Sequence, residues 1–254
     1  MNILITGGNG YIAKALFKSL REFHYVHLIT RDDFDLTDRE ATNAWFKDKH
    51  YSVVIHTAIK GGSRLEKDNS KVFYQNIQMF YNLLNNKKSF NKLISFGSGA
   101  ETGYPSDPYG LSKNIISRII KEEYNFFNIR IYGVFDENEL DTRFIKSNIK
   151  RYINKQPLEI HENKYMDFFY MEDLIKLVDY YMNEPNPLKL SSCSYHKKYT
   201  LLDIAQIINS LNNHKCDIKI NSKDTGKSYS GISNIDLDFI GIEEGIKRTY
   251  NKLK

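Results

Sequence analysis

Three polar residues in the middle of the chain have the types and spacing for proton transfer. Tyr109 and Lys113 stand four positions apart in a segment with helical periodicity, so they share one face, one turn apart. A lysine charge beside a tyrosine favours the phenolate and lowers its pKa from about 10, so the hydroxyl exchanges protons nearer neutral pH. Ser98 follows an apolar run and can hold a substrate carbonyl. The pattern predicts Ser98, Tyr109 and Lys113 as catalytic residues.

A glycine-rich loop near the N-terminus is typical of a dinucleotide-binding site. The loop follows a short apolar run and precedes a segment with helical spacing. Gly7 permits a tight turn, Gly10 lets the backbone approach a pyrophosphate, and the helix N-terminus favours phosphate. The alternative, a tight turn that binds nothing, is disfavoured by this placement between strand and helix. We expect cofactor contacts from Gly7, Asn9, Gly10, Tyr11 and Ile12.

The end of the second apolar run bears on the choice between NADP and NAD. Arg31 is the first charged side chain beyond it, and a guanidinium suits a 2′-phosphate, whereas a carboxylate would bind the ribose hydroxyl. Asp32 and Asp33 follow at once and could instead pair with Arg31. We predict NADP(H), with NAD(H) as the alternative.

Apolar runs alternate with helical segments through the first half of the chain. Strands are predicted at Asn2–Thr6, Tyr25–Ile29, Ser52–His56, Lys92–Phe96 and Asn128–Tyr132. Continuous apolar strands separated by helices indicate an α/β fold with a doubly wound parallel sheet of the Rossmann type. We predict a dinucleotide-binding domain at 1–135, to which 166–192 return, and a small C-terminal α+β substrate-binding lid at 136–165 and 193–254.

Composition narrows the function classes. The 254 residues carry a net charge of +5, but no basic run is longer than a pair, so we expect no nucleic-acid partner. The chain has no apolar window long enough for a membrane span. Cys193 and Cys216 suit a reducing, cytoplasmic setting. The histidine spacing predicts no metal site, and His56 is expected to be packed and hydrogen-bonded.

Together these motifs resemble the extended short-chain dehydrogenase/reductase family, in its nucleotide-sugar (NAD-dependent epimerase/dehydratase) branch. Besides the glycine loop and the Ser–Tyr–Lys set, the resemblance rests on Asp35–Asp38, on Val53–Ala58 and on Asp167–Asp173. The pattern is most similar to the GDP-fucose synthase-like reductases of that branch. Such enzymes act on sugars linked to a nucleoside diphosphate.

The resemblance implies further site residues. Cofactor contacts are expected from Arg31, Asp35, Leu36, Thr57, Ala58, Lys60, Asn76, Tyr109 and Lys113. The expected substrate contacts are Ser98, Arg143, Lys164 and Tyr165, whereas Phe168 is expected in the core. Arg143 and Lys164 could equally be solvated surface cations. The family also implies a homodimer formed through the helices predicted at 71–86 and 109–123.

Departures from the family pattern narrow the range of possible reactions. Ala100 stands where the epimerising reductases of this branch carry a cysteine, and 141–144 lack their histidine. Gly99 and Ala100 stand where the dehydratases carry two acids. The pattern therefore predicts an NADPH-dependent reductase of a nucleotide-linked 4-keto-6-deoxy sugar. The alternatives are a nucleotide-sugar 4-epimerase with tightly bound NAD and a non-catalytic NADP-binding protein.

Overall fold

The chain folds into two compact units. A computed structural model describes residues 1–63, 66–104, 106–222 and 224–254. The first unit comprises 1–130 and 178–191, and the second comprises 131–177 and 192–254. Of the segment 166–192, which was expected to return to the first domain, 178–191 lie in the first unit, whereas 166–177 and 192 lie in the second. The assignment of cofactor and substrate to separate domains stays a prediction.

Strands and helices alternate from the first residues onward. In chain order they are β1 Asn2–Thr6, α1 Tyr11–Leu20, β2 Tyr25–Ile29, α2 Arg39–Phe46, β3 Tyr51–His56, α3 Ser70–Asn85, β4 Phe90–Ser98, α4 Ala100–Gly103, α5 Pro108–Glu122 and β5 Phe126–Ile131.

Shorter elements follow. They are β6 Val134–Phe135, α6 Phe144–Ile153, β7 Leu158–Ile160, β8 Phe169–Tyr170, α7 Met171–Asn183, β9 Leu190–Ser192, α8 Leu201–Asn209, β10 Ile218–Ile220 and α9 Ile242–Leu253. None of the helices in the described part of the chain has the length and apolar character needed to cross a membrane.

A six-stranded sheet, in the order β2-β1-β3-β4-β5-β9, forms the centre of the fold. β1 pairs in parallel with β2 and with β3, so that Ile3 stands beside both Val26 and Val53. Apolar residues fill these strands because helices cover the sheet, and Ile3, Leu4 and Ile5 are completely buried. The predicted doubly wound parallel sheet is confirmed. The sixth strand, β9, was not predicted.

The strand order reverses at β1. The chain leaves β1 for β2 on one side and later crosses to β3 on the other. The helical connections of β1 and of β3 therefore diverge, and they leave a crevice outside the carboxyl ends of these two strands. In open α/β sheets, ligands bind at this position.

Each unit has its own apolar core. The core of the first unit includes Leu4, Val54, Phe80, Leu93 and Ile116. The core of the second includes Phe135, Ile149, Tyr170, Ile204 and Ile246, together with Phe168, as predicted. Thr200 caps α8 and forms a reciprocal capping box with Asp203.

Candidate functional site

The glycine loop closes tightly against the end of β3. Gly7 has a φ of +73°, a conformation that favours glycine, and a Cβ there would lie 2.7 Å from the Ala58 Cα. The Gly10 N–H donates to the Gly7 carbonyl at 2.8 Å, which fixes the turn. α1 begins without a side-chain cap and without an acidic residue in its first turn. The positive end of its dipole is therefore left for an anion.

A cavity of about 350 Å³ opens at this crevice. Nine residues expected to bind the cofactor line it: Gly7, Asn9, Gly10, Arg31, Asp35, Leu36, Thr57, Ala58 and Lys60. The lining also includes residues that were not predicted: Thr6, Gly8, Ile29, Thr30, Phe34, Ile59 and Met79. Apolar walls beside a glycine loop and a helix N-terminus fit the adenosine and phosphates of a dinucleotide.

Tyr11 and Ile12 begin α1 beside the cavity, but neither is among its lining residues. Gly8 was the unpredicted lining residue with the clearest signal, because it stands inside the glycine loop. The apolar lining residues had no such signal in the sequence, since an apolar residue at the end of a strand is as typical of a core as of a pocket.

Arg31 stands exposed at the mouth of the cavity. Asp33 is turned back onto its own loop, where its carboxylate accepts from the Thr30 N–H at 2.8 Å. Within the described ranges, Arg31 forms no ion pair with Asp32 or Asp33. Hydrogen bonds from Thr37 lower the pKa of the nearby Asp35 carboxyl, with a small contribution from Arg31. The guanidinium is therefore available to an incoming ligand.

Asn76 has its amide committed to the protein. Its Oδ1 accepts from the Lys60 N–H at 2.9 Å, and its Nδ2 donates to the Lys60 carbonyl at 3.0 Å and to Ser112 Oγ at 3.1 Å. The side chain is buried. Through these hydrogen bonds, Asn76 of α3 holds the backbone of Lys60 close to α3 and α5.

Tyr109 and Lys113 are brought together on the first turns of α5. Asp107 caps the helix by accepting from the Tyr109 N–H at 3.0 Å, and Pro108 occupies its first position. The Lys113 Nζ lies 5.9 Å from the centre of the Tyr109 ring. The structure therefore places the two side chains as their spacing predicted.

Lys113 is a buried cation. Its Nζ donates to the Phe96 carbonyl at 2.5 Å, and only 6% of the residue is exposed. Burial lowers the pKa of Lys113 to about 8, although the charge of Glu101 opposes this shift. His56 is also buried, with its Nδ1 2.9 Å from the Thr6 hydroxyl, which confirms the expected packed histidine. Burial lowers the pKa of His56 to about 3, so this ring is neutral across the working pH range.

A second glycine lies against the Tyr109 ring. Gly62 has a φ of +73°, and a Cβ there would lie 2.8 Å from the Tyr109 Cζ. The Gly62 N–H donates to the Asp68 carboxylate at 2.9 Å, which holds Gly62 in this position. Only glycine fits at position 62, because any side chain there would collide with the Tyr109 ring.

Ser98 ends β4 and is buried. Its Oγ accepts from the Ala100 N–H at 3.1 Å, so the hydroxyl is oriented by the first residue of α4. α4 packs closely on α5 at Gly110. A Cβ on Gly110 would lie 2.1 Å from the Tyr104 carbonyl oxygen and 2.8 Å from that of Ala100, so only glycine allows this approach. The turn after Ser98 is thus joined to the turn that carries Tyr109.

The expected substrate residues of the second unit form no common cluster. Arg143 is exposed at the start of α6, Lys164 forms a 2.5 Å ion pair with Glu162, and Tyr165 is 49% exposed. Within the part of the chain that the structure describes, no hydrogen bond or ion pair joins these three to one another. Their role in binding stays a prediction.

Glu101 and Glu139 are among the buried carboxyl residues that were not predicted as site residues. Glu101 lies completely buried in the first unit. Glu139, in the second unit, is also buried, and burial raises the pKa of its carboxyl to about 8. Neither stands in a motif, so nothing in the sequence distinguishes them from surface acids. Among the described residues, no group of three or more His, Cys, Asp or Glu side chains could hold a metal ion.

Comparison with known proteins identifies the family. The model of the NAD dependent epimerase/dehydratase family matches residues 3–191. The chain belongs to this family. The resemblance to the nucleotide-sugar branch of the extended short-chain dehydrogenases/reductases is thereby confirmed, and a nicotinamide dinucleotide is the cofactor type of its relatives.

Individual relatives within this family differ in reaction. A GDP-L-fucose synthase from Dictyostelium discoideum is 28% identical over 299 residues, covering 97% of this chain and 93% of that protein. A GDP-L-fucose synthetase from Naegleria fowleri, bound to NADP, has 17% identity and a TM-score of 0.78, covering 98% and 91%. A UDP-glucuronic acid 4-epimerase from Bacillus cereus, with NAD, has 16% identity and a TM-score of 0.79, covering 99% and 98%. The two structures share the fold of this chain.

The glycine loop provides a direct test of the cavity. We expect Gly7→Ala to weaken NADPH binding about tenfold or more, because a side chain at positive φ against Ala58 introduces strain of about 1–3 kcal/mol. Fluorescence titration with NADPH measures the effect. Gly103→Ala is the matched control, since a Cβ there would meet nothing within 4 Å. Equal affinity in both variants would contradict the assignment of the cavity.

Proposed function

We propose that this chain is an NADPH-dependent reductase of a nucleotide-linked 4-keto-6-deoxy sugar. The observation that carries the proposal is the buried Lys113 ammonium, 5.9 Å from the Tyr109 ring, in the same unit as the dinucleotide cavity. The family and the relatives with nucleotide-sugar activities support the substrate class.

The reaction needs one proton at the keto oxygen. A bound nicotinamide dinucleotide would supply the hydride for the keto carbon. Ser98, with its hydroxyl held by the Ala100 N–H, orients the carbonyl. The Tyr109 hydroxyl donates its proton to the oxygen as negative charge develops there, and the Lys113 charge stabilises the phenolate that is left.

Lys113 also makes the reaction dependent on pH. The ammonium is charged below its pKa of about 8 and neutral above it. The stabilisation of the tyrosine phenolate is therefore present at neutral pH and is lost as the pH rises through about 8.

Two features disfavour the family's dehydration and its thiol-dependent epimerisation of ring carbons. Ala100 is a buried apolar residue where epimerisation would need a thiol. Glu101, the carboxyl nearest to the positions used by the dehydratases, is ion-paired with Arg130 at 2.7 Å and inaccessible. Neither residue can exchange a proton with a sugar ring.

The exposed Arg31 at the cavity mouth supports NADPH over NADH. A guanidinium there would bind the 2′-phosphate through charged hydrogen bonds. In the second unit, Arg143 and Lys164 are proposed to bind the substrate diphosphate, with Tyr165 against the nucleotide or sugar.

We also propose a homodimer in the cytoplasm. Tyr74 and Tyr81 of α3 are 66% and 52% exposed, and Leu111 of α5 is 37% exposed. Burial of these side chains against a second copy would stabilise the pair. Cys193 and Cys216 are both free thiols, as expected where thiols are kept reduced.

The role of Tyr109 is tested by removal of one oxygen atom. We expect Tyr109→Phe to lower kcat by about 10²–10⁴-fold and to leave NADPH binding nearly intact, because the proton donor is lost and the ring remains. Turnover of GDP-, UDP-, CDP- and dTDP-linked 4-keto-6-deoxy sugars provides the measurement. Tyr124→Phe, on an 80% exposed ring, is the control. Full activity of the Tyr109 variant would rule out the mechanism.

Cofactor choice is tested at Arg31. We expect Arg31→Ala to lower NADPH affinity about tenfold to a hundredfold, since a charged hydrogen bond contributes about 1.5–3 kcal/mol, and to leave NADH affinity unchanged. Binding titrations with both cofactors measure this. Arg39→Ala removes an exposed arginine of α2 as the control. Equal losses for NADPH and NADH would refute the preference.

A further inference from the structure

Glu101 is a buried carboxylate that accepts hydrogen bonds from three residues on two strands. Its Oε1 accepts from the Ser98 N–H at 2.9 Å and from Asn128 Nδ2 at 3.0 Å. Its Oε2 accepts from Arg130 Nε at 2.7 Å. None of the residue is exposed to solvent. A carboxylate removed from water in this way needs such partners, and here it has them.

The fold leaves a space of the right size for this carboxylate. A Cβ on Gly97 would lie 1.9 Å from Glu101 Oε1 and 2.7 Å from the Asn128 side chain. Gly97 belongs to β4, and both donor side chains, Asn128 and Arg130, belong to β5. The Glu101 backbone carbonyl also accepts from Asn114 Nδ2 of α5 at 2.8 Å. The residue therefore links two strands to the helix that carries Tyr109 and Lys113.

The Glu101 carboxylate and the Lys113 amine meet β4 at successive residues, because the carboxylate packs on Gly97 and the amine donates to the carbonyl of Phe96. Of the ionisable groups that the structure describes, His56 faces Lys113 from β3, Tyr109 from its own helix and Glu101 from α4. His56 is neutral, because burial lowers the pKa of its ring to about 3. Glu101 opposes the effect of burial on the pKa of Lys113. Arg130 is the partner that partly offsets the Glu101 charge.

We propose that Glu101 is a positioning residue of the active site: its carboxylate fixes the backbone of Ser98 and provides the counter-charge for Lys113. It takes no proton from the substrate, since both of its oxygens are bound to protein donors away from solvent. Its effect on turnover rests on the proposed reductase function. Its effect on the Lys113 amine does not.

Two substitutions should move the Lys113 titration in opposite directions. Glu101→Gln keeps the shape but removes the negative charge, so the Lys113 pKa falls and the alkaline limb of kcat/KM moves to lower pH. Arg130→Gln leaves the Glu101 charge uncompensated, so the same pKa rises and the limb moves to higher pH. A role confined to packing would not give opposite signs.

The test measures the Lys113 amine in the free protein. ¹³C NMR of labelled lysine side chains follows the titration, and the Lys113→Arg variant assigns the resonance. Glu123→Gln, which removes the surface partner of Lys87, is the matched control and should change nothing at Lys113. Glu101→Asp keeps the charge and should restore the titration. If Glu101→Gln does not fold, Arg130→Gln, whose side chain is 23% exposed, still gives the predicted sign.

Kinetics separate this proposal from the proposed function. We expect Glu101→Gln to lower kcat by up to about 10²-fold, the effect of a small displacement of reacting groups. An unchanged Lys113 pKa in both charge variants, or a shift of the same sign in both, would overturn the role of Glu101, whatever the activity. Opposite shifts in a protein that reduces no 4-keto sugar would uphold the role and refute the reductase.

Discussion

The reversal of strand order at β1 is the constraint on which the candidate site depends. Because β2 and β3 lie on opposite sides of β1, the connections at their carboxyl ends diverge and leave a crevice. The glycine loop fills the base of this crevice, with Gly7 packed on Ala58 at the end of β3. A side chain at Gly7 would separate the loop from the strand, and the phosphate end of the cavity would lose its shape.

Beside this crevice the fold buries charge. Lys113 is desolvated and donates to a backbone carbonyl, and this lowers the pKa of its amine to a value near physiological pH. The Glu101–Arg130 pair lies behind it in the same unit. Buried ion pairs contribute little to stability on balance. Glu101 also accepts from the Ser98 N–H, and its charge opposes the effect of burial on the Lys113 pKa. The role proposed for the pair is therefore in the reaction, not in stability.

Local patterns in the sequence were sufficient for the parts of the site that depend on spacing. The glycine loop, the Tyr109–Lys113 turn and the apolar strands β1 to β5 are each specified by residues close together in the chain. Glu101 could not be found in this way, because its partners Asn128 and Arg130 come from a strand far along the chain. The three-residue β9 was missed because its pairing with β5 depends on the sheet already formed.

The residues that line the cavity show the same limit of prediction from local sequence patterns. Ile29, Phe34 and Met79 line it, yet each is an apolar residue of a kind that also fills cores. Asn76 was expected at the cofactor, and the structure engages its amide with Lys60 and Ser112. Spacing identifies which residue types can do chemistry, whereas tertiary contacts decide which of them face a ligand and which hold the others in place.

The fate of the nicotinamide hydrogen tests the central claim most directly. The protein would be given NADPH deuterated at the transferred position together with nucleotide-linked 4-keto-6-deoxy sugars, and the products analysed by NMR and mass spectrometry. The account predicts one NADPH oxidised for each sugar reduced, with deuterium at C4 of the product. Interconversion of two sugars without net consumption of NADPH, and without deuterium at C4, would contradict it.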